Sequence, residues 1–488
     1  MFLRLVIFWL LAFNFLTGIT VFAQNNKVNV MKRKYSPAQL KEDALIMKNA
    51  VLKVHPVIGI YRSRMYYEKL FDAFILNLND SLTEKQFRIR TKMILDELKC
   101  GHTEAVSSKE YLKAFDNEKT AYSPYVFLPL NDKVYVLAGV NRKKDTLLKR
   151  GEVVRKINGV SVDTMVMVCK KIISTDGNNQ SGKDHYLKLG FNSYFPALFG
   201  RPDTFTVELD GEKSVRKVKY PTIKTAHYPS MPISPKEDTD LVVCKRASMK
   251  YKFLDKDKKT MHLKIYAFTR KRYTKAYRRV FRKMKEAGTE NLVIDLRYNG
   301  GGSLENTYKL LTYLMDKETT QTLWTGIRSY PDRKYVKGNI FFKLMRFGFS
   351  VIATKRTVND TDHYEYHIKP GKKNHFNGKT YVLINGGSFS ASSMVAAYLK
   401  ANGRAEFIGE ETSGAIEGCN AGITPYYKLP NTKIKIRIPA FRIIHDVSPA
   451  ITGHGIYPDH PITYTIEDVL KRQDLELNKV KELLGLKP

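Results

Sequence analysis

The alternation of apolar and polar positions divides the chain into three stretches of different period. From Ser36 onward, Leu40, Ala44, Met47, Val51 and Val54 recur at helical spacing. Ser36-Pro37-Ala38-Gln39 opens that helix with a capping serine, a proline at the first helical position and a glutamine placed to bond back. His55-Pro56 stops it, because the residue before a proline is driven out of the helical region. A second helix is predicted around Tyr66 to Leu78. A third opens at Thr83-Glu84-Lys85-Gln86, with Phe87, Ile94 and Leu98 on one face. These elements predict an N-terminal helical domain over 24–118, with its helices within 30–100, the last of them running out in Leu98-Lys99-Cys100-Gly101-His102-Thr103.

From about Tyr122 the period shortens to that of strands: Tyr125-Val126-Phe127-Leu128, then Val134-Tyr135-Val136-Leu137, then Leu148 to Val162 with Asn158-Gly159 as a tight turn. A β-rich domain is predicted over 119–223, followed by a polar, proline-bearing linker over 224–250. In the third stretch, 251–488, strands lead into glycine-rich loops and then helices. Met261–Phe268 is an alternating strand. Asn291–Leu296 is a buried strand that runs into Asn299-Gly300-Gly301-Gly302-Ser303, with a helix from Glu305. Tyr381–Ile384 is a buried strand leading to Gly386-Gly387-Ser388-Phe389-Ser390, with a helix from Ala391. Residues 316–378 form a basic, aromatic insertion, and an apolar-periodic helix closes the chain from about Ile466 to Leu484. The fold class is therefore a multidomain α/β protein.

Composition adds three points. A basic Arg4 precedes an apolar run, Leu5 to Phe22, ending in Val21-Phe22-Ala23. This pattern suits an export signal over 1–23 cleaved after Ala23, an uncleaved anchor being the competing reading. No cysteine follows the cut to carry a lipid. The predicted localisation is therefore exported, periplasmic or in the cell envelope. The formal charge is +34, and its densest piece, Arg270 to Lys283, carries Tyr273, Ala276, Tyr277, Val280, Phe281 and Met284 as one apolar face of a helix. No zinc-finger spacing or helix-turn-helix signal accompanies the charge, so no nucleic acid is expected, and an anionic envelope surface is the candidate partner besides substrate. Cys100, Cys169, Cys244 and Cys419 lie far apart with no metal spacing; they need not be bridged.

Candidate chemistry collects at Ser388-Phe389-Ser390-Ala391-Ser392. A serine between a buried strand and a helix start has its hydroxyl exposed at the turn, and the free N–H groups of the helix can stabilise developing negative charge. The plainer reading is a serine-rich helix cap. The glycine loop at Asn299–Ser303 lacks a nucleotide-binding pattern, so close approach of its N–H groups to an oxyanion is the alternative. His363-Tyr364-Glu365-Tyr366-His367 lacks the glutamate that a zinc helix needs after its first histidine and reads as a strand; no metal and no cofactor are expected.

Four segments together, Asp295-Leu296-Arg297-Tyr298-Asn299-Gly300-Gly301-Gly302, Ser388-Phe389-Ser390-Ala391-Ser392, Ile408-Gly409-Glu410-Glu411-Thr412 and Gly455-Ile456-Tyr457-Pro458-Asp459, resemble the carboxy-terminal processing and tricorn-type serine peptidases. Cys100-Gly101-His102-Thr103 resembles an exported bacterial branch that keeps an N-terminal histidine, and Gly151-Glu152-Val153-Val154 leading to Ile157-Asn158-Gly159 resembles a PDZ segment, with Glu152 in place of the usual aspartate. The resemblance implies a PDZ-like β-rich domain and a crotonase-like α/β catalytic domain. It aligns Ser390 with the nucleophile (Ser388 and Ser392 being the register alternatives) and makes the amides of Ala391 and Gly301 the oxyanion donors, or Gly302 if the loop is shifted. The lysine that the processing peptidases pair with their serine falls on Ala415 here, so His102 is the implied base. For the acid behind it, Glu410, Glu411 and Asp446 are unranked candidates. The implied activity is an exported serine endopeptidase that cleaves protein tails or unstructured polypeptide. The alternatives are a catalytically inactive peptide-binding protein on the same scaffold and, more remotely, a crotonase-type acyl-CoA enzyme.

Overall fold

The computed structural model describes residues 29–487 except 117–119, 140–146, 212–213, 226–232, 270–272, 448–451 and several positions between 328 and 360. The export signal at 1–23, Arg270-Lys271-Arg272 and part of the basic insertion thus lie outside the described residues.

At the centre is a seven-stranded sheet in the order Val242–Val243, Met249–Phe253, Thr260–Ile265, Asn291–Asp295, Lys379–Ile384, Glu406–Gly409 and His460–Pro461. Its first two pairings are antiparallel and the remaining four parallel. Both faces of the parallel part are covered, as a sheet of unbroken apolar strands requires. One face packs on the helices Thr274–Glu286, Leu304–Leu311 and Ala391–Ala401 through Leu263, Ile294, Val382, Phe281 and Val395. The other carries Val293, Tyr381, Leu383 and Ile408 against Val480 of the last helix. In Thr274–Glu286 the predicted apolar face is the buried one: Tyr277, Val280, Phe281 and Met284 point inward and the arginines and lysines outward.

The N-terminal helices form as read, at Pro37–Val54, Arg64–Leu76 and Glu84–Asp96, with both capping boxes in place. Their core is shared, however. Leu40, Met47, Val51, Phe71 and Phe87 pack in one cluster with Leu323, Ile436, Phe441 and Ile443 from the far end of the chain. Those partners include strands of a five-stranded sheet, ordered Thr354–Val358, Thr361–Ile368, Thr319–Thr325, Phe441–His445 and Gly418–Ala421, to which the insertion contributes three strands. His363 and His367 lie on its strand Thr361–Ile368, as the alternating tyrosines predict.

The β-rich unit has a sheet of Tyr125–Leu130, Lys133–Gly139, Val153–Ile157, Thr204–Leu209 and Arg216–Pro221, with Asn158 and Gly159 turning at φ +50° and +80°. Two helices, Val162–Lys170 and Gln180–Phe199, cover it, with Leu187, Phe191 and Phe195 facing Phe127, Ile157 and Phe205. Sequence periodicity missed the longer helix: Gly182, Gly190 and Pro196 interrupt its pattern, and tertiary packing overrides those weak propensities.

The closing helix is two helices, Ile466–Lys471 and Leu475–Leu483, broken at Arg472, which is left-handed at φ +56°. The break places Asp474 and Glu476 against a buried cation. Arg297 Nη1 lies 2.7 Å from both Asp474 Oδ1 and Glu476 Oε2, and its Nη2 lies 2.8 Å from Asp295 Oδ2. Burial alone would raise the Asp295 carboxyl, but the Arg297 guanidinium overrides it and holds it well below the usual carboxylate range. This network fixes the carboxyl end of the strand Asn291–Asp295, and the glycine loop starts there.

Candidate active site

Two adjacent parallel strands end at the same edge, with Asp295 in register with Leu383, and their loops are stitched together. Tyr298 N–H donates to Asn385 Oδ1 at 3.0 Å, Phe389 N–H to Asn299 O at 3.0 Å, and Ser388 Oγ to Leu296 O at 2.8 Å. Crevices beyond the carboxyl ends of parallel strands are where open α/β sheets place their ligands.

Ser390 sits at the start of the helix Ala391–Ala401 with φ +57° and ψ −122°, a conformation L-residues rarely adopt, and its side chain makes no capping bond. Its Oγ lies 3.1 Å from Nε2 of His102. The other serines of the stretch have different surroundings. Ser388 Oγ bonds Leu296 O, Ser393 Oγ donates to Ser388 O at 2.8 Å, and Ser392 Oγ is buried with no hydrogen-bond partner among the described residues.

His102 follows the helix Glu84–Asp96 and precedes the strand Glu104–Val106, which is clamped onto Lys435–Arg437. The Phe389 ring stacks on the imidazole at 4.6 Å. Gly101 is small for that reason: a Cβ there would lie 2.7 Å from Phe389 Cζ. Burial first, and then the Arg437 charge, lowers the His102 pKa to about 3, so the ring is neutral at neutral pH. Its other nitrogen, Nδ1, is buried without a partner among the described residues.

A second histidine, not singled out by the sequence reading, supports this segment. Val57 N–H donates to His55 Nδ1 at 3.1 Å, which leaves the proton of the neutral ring on Nε2, 2.7 Å from Thr103 Oγ1. Its signal was the His55-Pro56 helix stop, which the sequence reading used only as a terminator.

Gly301 faces the serine at φ +95°, and a Cβ there would sit 2.7 Å from Phe389 O and 2.8 Å from both Ala391 N and Ser390 Cβ. The Gly301 N–H donates to Asn299 Oδ1 at 2.9 Å. Ala391, as the first helical residue, has no intrahelical acceptor for its N–H.

Two of the three candidate acids have other partners, the third is exposed, and none is hydrogen-bonded to His102 among the described residues. Glu411 Oε1 accepts Gly455 N–H at 2.8 Å and lies 3.3 Å from His454 Nδ1, so it braces the Gly-Ile-Tyr-Pro-Asp turn. Glu410 pairs with Lys188 at 3.4 Å, and Asp446 is exposed past the end of the strand Phe441–His445. The carboxylate near His102 is instead Asp176, from the turn between the two helices of the β-rich unit. A ring nitrogen of His102, a carboxylate oxygen of Asp176 and the Cys100 sulfur lie within 4.8 Å of one another. Nothing in Thr175-Asp176-Gly177 marks it in the sequence. The Cys100 thiol donates to Asn420 O at 3.7 Å and burial pushes its pKa up to about 12, so the trio is a poor match to a thiolate metal site. All four cysteines are free and buried.

The β-rich unit is docked on this centre. Asn179 Nδ2 donates to Thr412 O at 2.6 Å and Ser181 Oγ to Glu411 O at 2.7 Å. Between this unit and the helix Glu84–Asp96, beside Gly101 and Thr103, opens a cavity of about 240 Å³ lined by Leu95, Ile172, Ile173, Tyr186, Tyr194 and Phe389 among others.

A hydroxyl on a strained turn, a neutral imidazole at hydrogen-bond distance and helix-terminal N–H groups beside it are the parts that acyl transfer needs. Among solved structures the chain is similar in fold to mature CPAF, with a TM-score of 0.64 at 14% identity over 92% of this chain and 97% of that one. It is likewise similar to mature CPAF complexed with lactacystin, with a TM-score of 0.62 at 15% identity over 92% and 98%. With residues 259–462 matching the model of peptidase family S41, the chain is a serine-type peptidase.

Proposed function

We propose that the protein is an exported endopeptidase that cuts protein tails or unstructured polypeptide, with Ser390 as nucleophile and His102 as general base. The observation that carries this reading is the 3.1 Å approach of His102 Nε2 to Ser390 Oγ, across 288 residues of sequence. Ser390 Oγ attacks the scissile carbonyl as His102 Nε2 takes its proton; the tetrahedral oxyanion collapses, and the imidazolium gives the proton to the leaving amine. Water then attacks the acyl-enzyme, with His102 again as base, and releases the new carboxyl end. The oxyanion would lie against the Ala391 amide and the glycine loop. There the Gly301 N–H must turn from Asn299 Oδ1 or share itself, and each such donor is worth ~3–4 kcal/mol.

The reading treats 119–223 as a PDZ-like unit that holds an extended substrate segment, 251–488 as a crotonase-like catalytic domain, and 1–23 as the export signal. The cavity beside Gly101, lined by both apolar and polar groups, has room for a side chain of such a polypeptide. The test is cleavage of a denatured protein by wild type, Ser390→Ala and His102→Ala, each checked for an unchanged far-ultraviolet spectrum. Both variants should lose cleavage; retained activity in either removes that residue from its role. One observation favours the inactive-binder reading: the Gly301 amide is already bonded to Asn299. A fluorophosphonate probe decides between the two, because a competent Ser390 is labelled and an inert one is not.

A further inference from the structure

The reading of His102 as base leaves one proton without a destination. To accept from Ser390 at Nε2, the neutral ring must carry its proton on Nδ1, and a buried N–H needs an acceptor. Nδ1 has none among the described residues. Asp176 has the matching deficit. Its side chain is 1% exposed, its Oδ1 accepts the N–H of Gly101 at 2.9 Å, and its Oδ2 is buried with no partner. A ring nitrogen of His102 and a carboxylate oxygen of Asp176 lie within 4.8 Å of each other, and each of these two side chains carries one orphaned polar atom, Nδ1 and Oδ2.

We propose that Asp176 is the positioning residue of the catalytic pair, its Oδ2 taking the Nδ1 proton of His102 as a hydrogen bond and fixing the ring with Nε2 toward Ser390. Burial raises the Asp176 carboxyl to about 7, and the imidazolium forming beside it favours the ionised carboxylate, so no proton passes to it. The bond to Gly101 anchors the carboxylate to the residue next to the histidine, and the neighbouring turn is held from both sides. Gly177 N–H donates to Lys99 O at 2.9 Å, and Asn178 N–H to Gly453 O at 2.8 Å. The other acid nearby, the part-buried Glu417, accepts Tyr61 O–H at 3.0 Å and Gly453 N–H at 2.9 Å through Oε1; its Oε2 also has no hydrogen-bond partner among the described residues, but Glu417 lies outside the cluster around His102. The positioning carboxylate would then come from the β-rich unit, so the site is complete only while that unit is docked.

The inference rests on the proposed role of His102, and its test is chosen to read out separately from activity. In Asp176→Asn the amide oxygen keeps the Gly101 bond, which turns the NH₂ toward the ring and reverses the preferred tautomer. Full-length protein labelled with ¹⁵N-histidine, with His102→Ala to identify the signal, should show Nδ1 protonated in wild type and Nε2 protonated in Asp176→Asn at neutral pH. With a denatured-protein substrate, Asp176→Asn should lose about 10²–10⁴-fold in kcat/KM, with partial return in Asp176→Glu. An unchanged tautomer, or a changed one in Glu417→Gln and not in Asp176→Asn, overturns the assignment. Loss of the peptidase reading would instead show as activity persisting in His102→Ala, whatever the tautomer.

Discussion

The backbone of Ser390 makes a prediction that does not depend on any substrate. At φ +57° and ψ −122° the residue occupies a region that costs a non-glycine residue about 1–3 kcal/mol. The comparison that isolates the strain is Ser390→Gly against Ser390→Ala. Both remove Oγ, so the contact to His102 is lost from both and cancels, and no capping bond is forfeited because none exists. Alanine keeps the Cβ that is strained there, and glycine relieves it. Glycine also gives up roughly 0.5–1 kcal/mol through the greater freedom of its unfolded chain. The balance leaves Ser390→Gly more stable than Ser390→Ala by about 0.5–2 kcal/mol. Urea unfolding followed by tryptophan fluorescence and far-ultraviolet dichroism measures the difference. An alanine variant as stable as the glycine variant, or more so, would falsify the claim that the turn stores strain at Ser390.

Other expectations concern the surroundings. Gly301→Ala puts a methyl group within 2.8 Å of the Ser390 turn at a φ of +95°. It should lower stability by more than about 1 kcal/mol and slow fluorophosphonate labelling about 10²-fold or more; wild-type labelling would exclude a tight oxyanion site there. Arg297→Met strands three carboxylates around a site where Arg297 is 3% exposed, and should cost about 3–5 kcal/mol in denaturant unfolding. Acid should destabilise the fold well before ordinary carboxylates titrate. Burial lowers His55 and His102 to about 3 and His185 and His445 to about 4, so the unfolded chain takes up four protons near pH 6.5 that the folded chain refuses. Asp176, raised to about 7 by burial, acts in the opposite sense and offsets one of them. Stability should therefore fall by roughly 3–4 kcal/mol per pH unit between pH 6 and 5, and a flat urea midpoint over that range would refute the neutral burial of these rings.

Local chemistry wrote much of this protein directly into its sequence. The capping boxes at Ser36 and Thr83, the Asn158-Gly159 turn, the apolar strands before both loops and the inward face of Thr274–Glu286 follow from period, caps and backbone preferences acting over a few residues. Ser390 and His102 were legible as candidates because each stands at a turn beside glycine or a helix end. The helix Gln180–Phe199 was not, because Gly182, Gly190 and Pro196 weaken its signal and only packing against Phe127 and Phe205 settles it. What tertiary structure alone decided was proximity. The helical segment has no separate core, Asp474 and Glu476 leave a continuous helix to meet Arg297, and Asp176 comes to His102 from a turn with no motif. Pairing between groups that are distant in the chain leaves no local pattern, since each side chain's own neighbours in sequence exert no preference for the partner it meets. The sequence could therefore nominate Ser390 and His102 as candidates, but not the Asp176 carboxylate that the fold brings near His102.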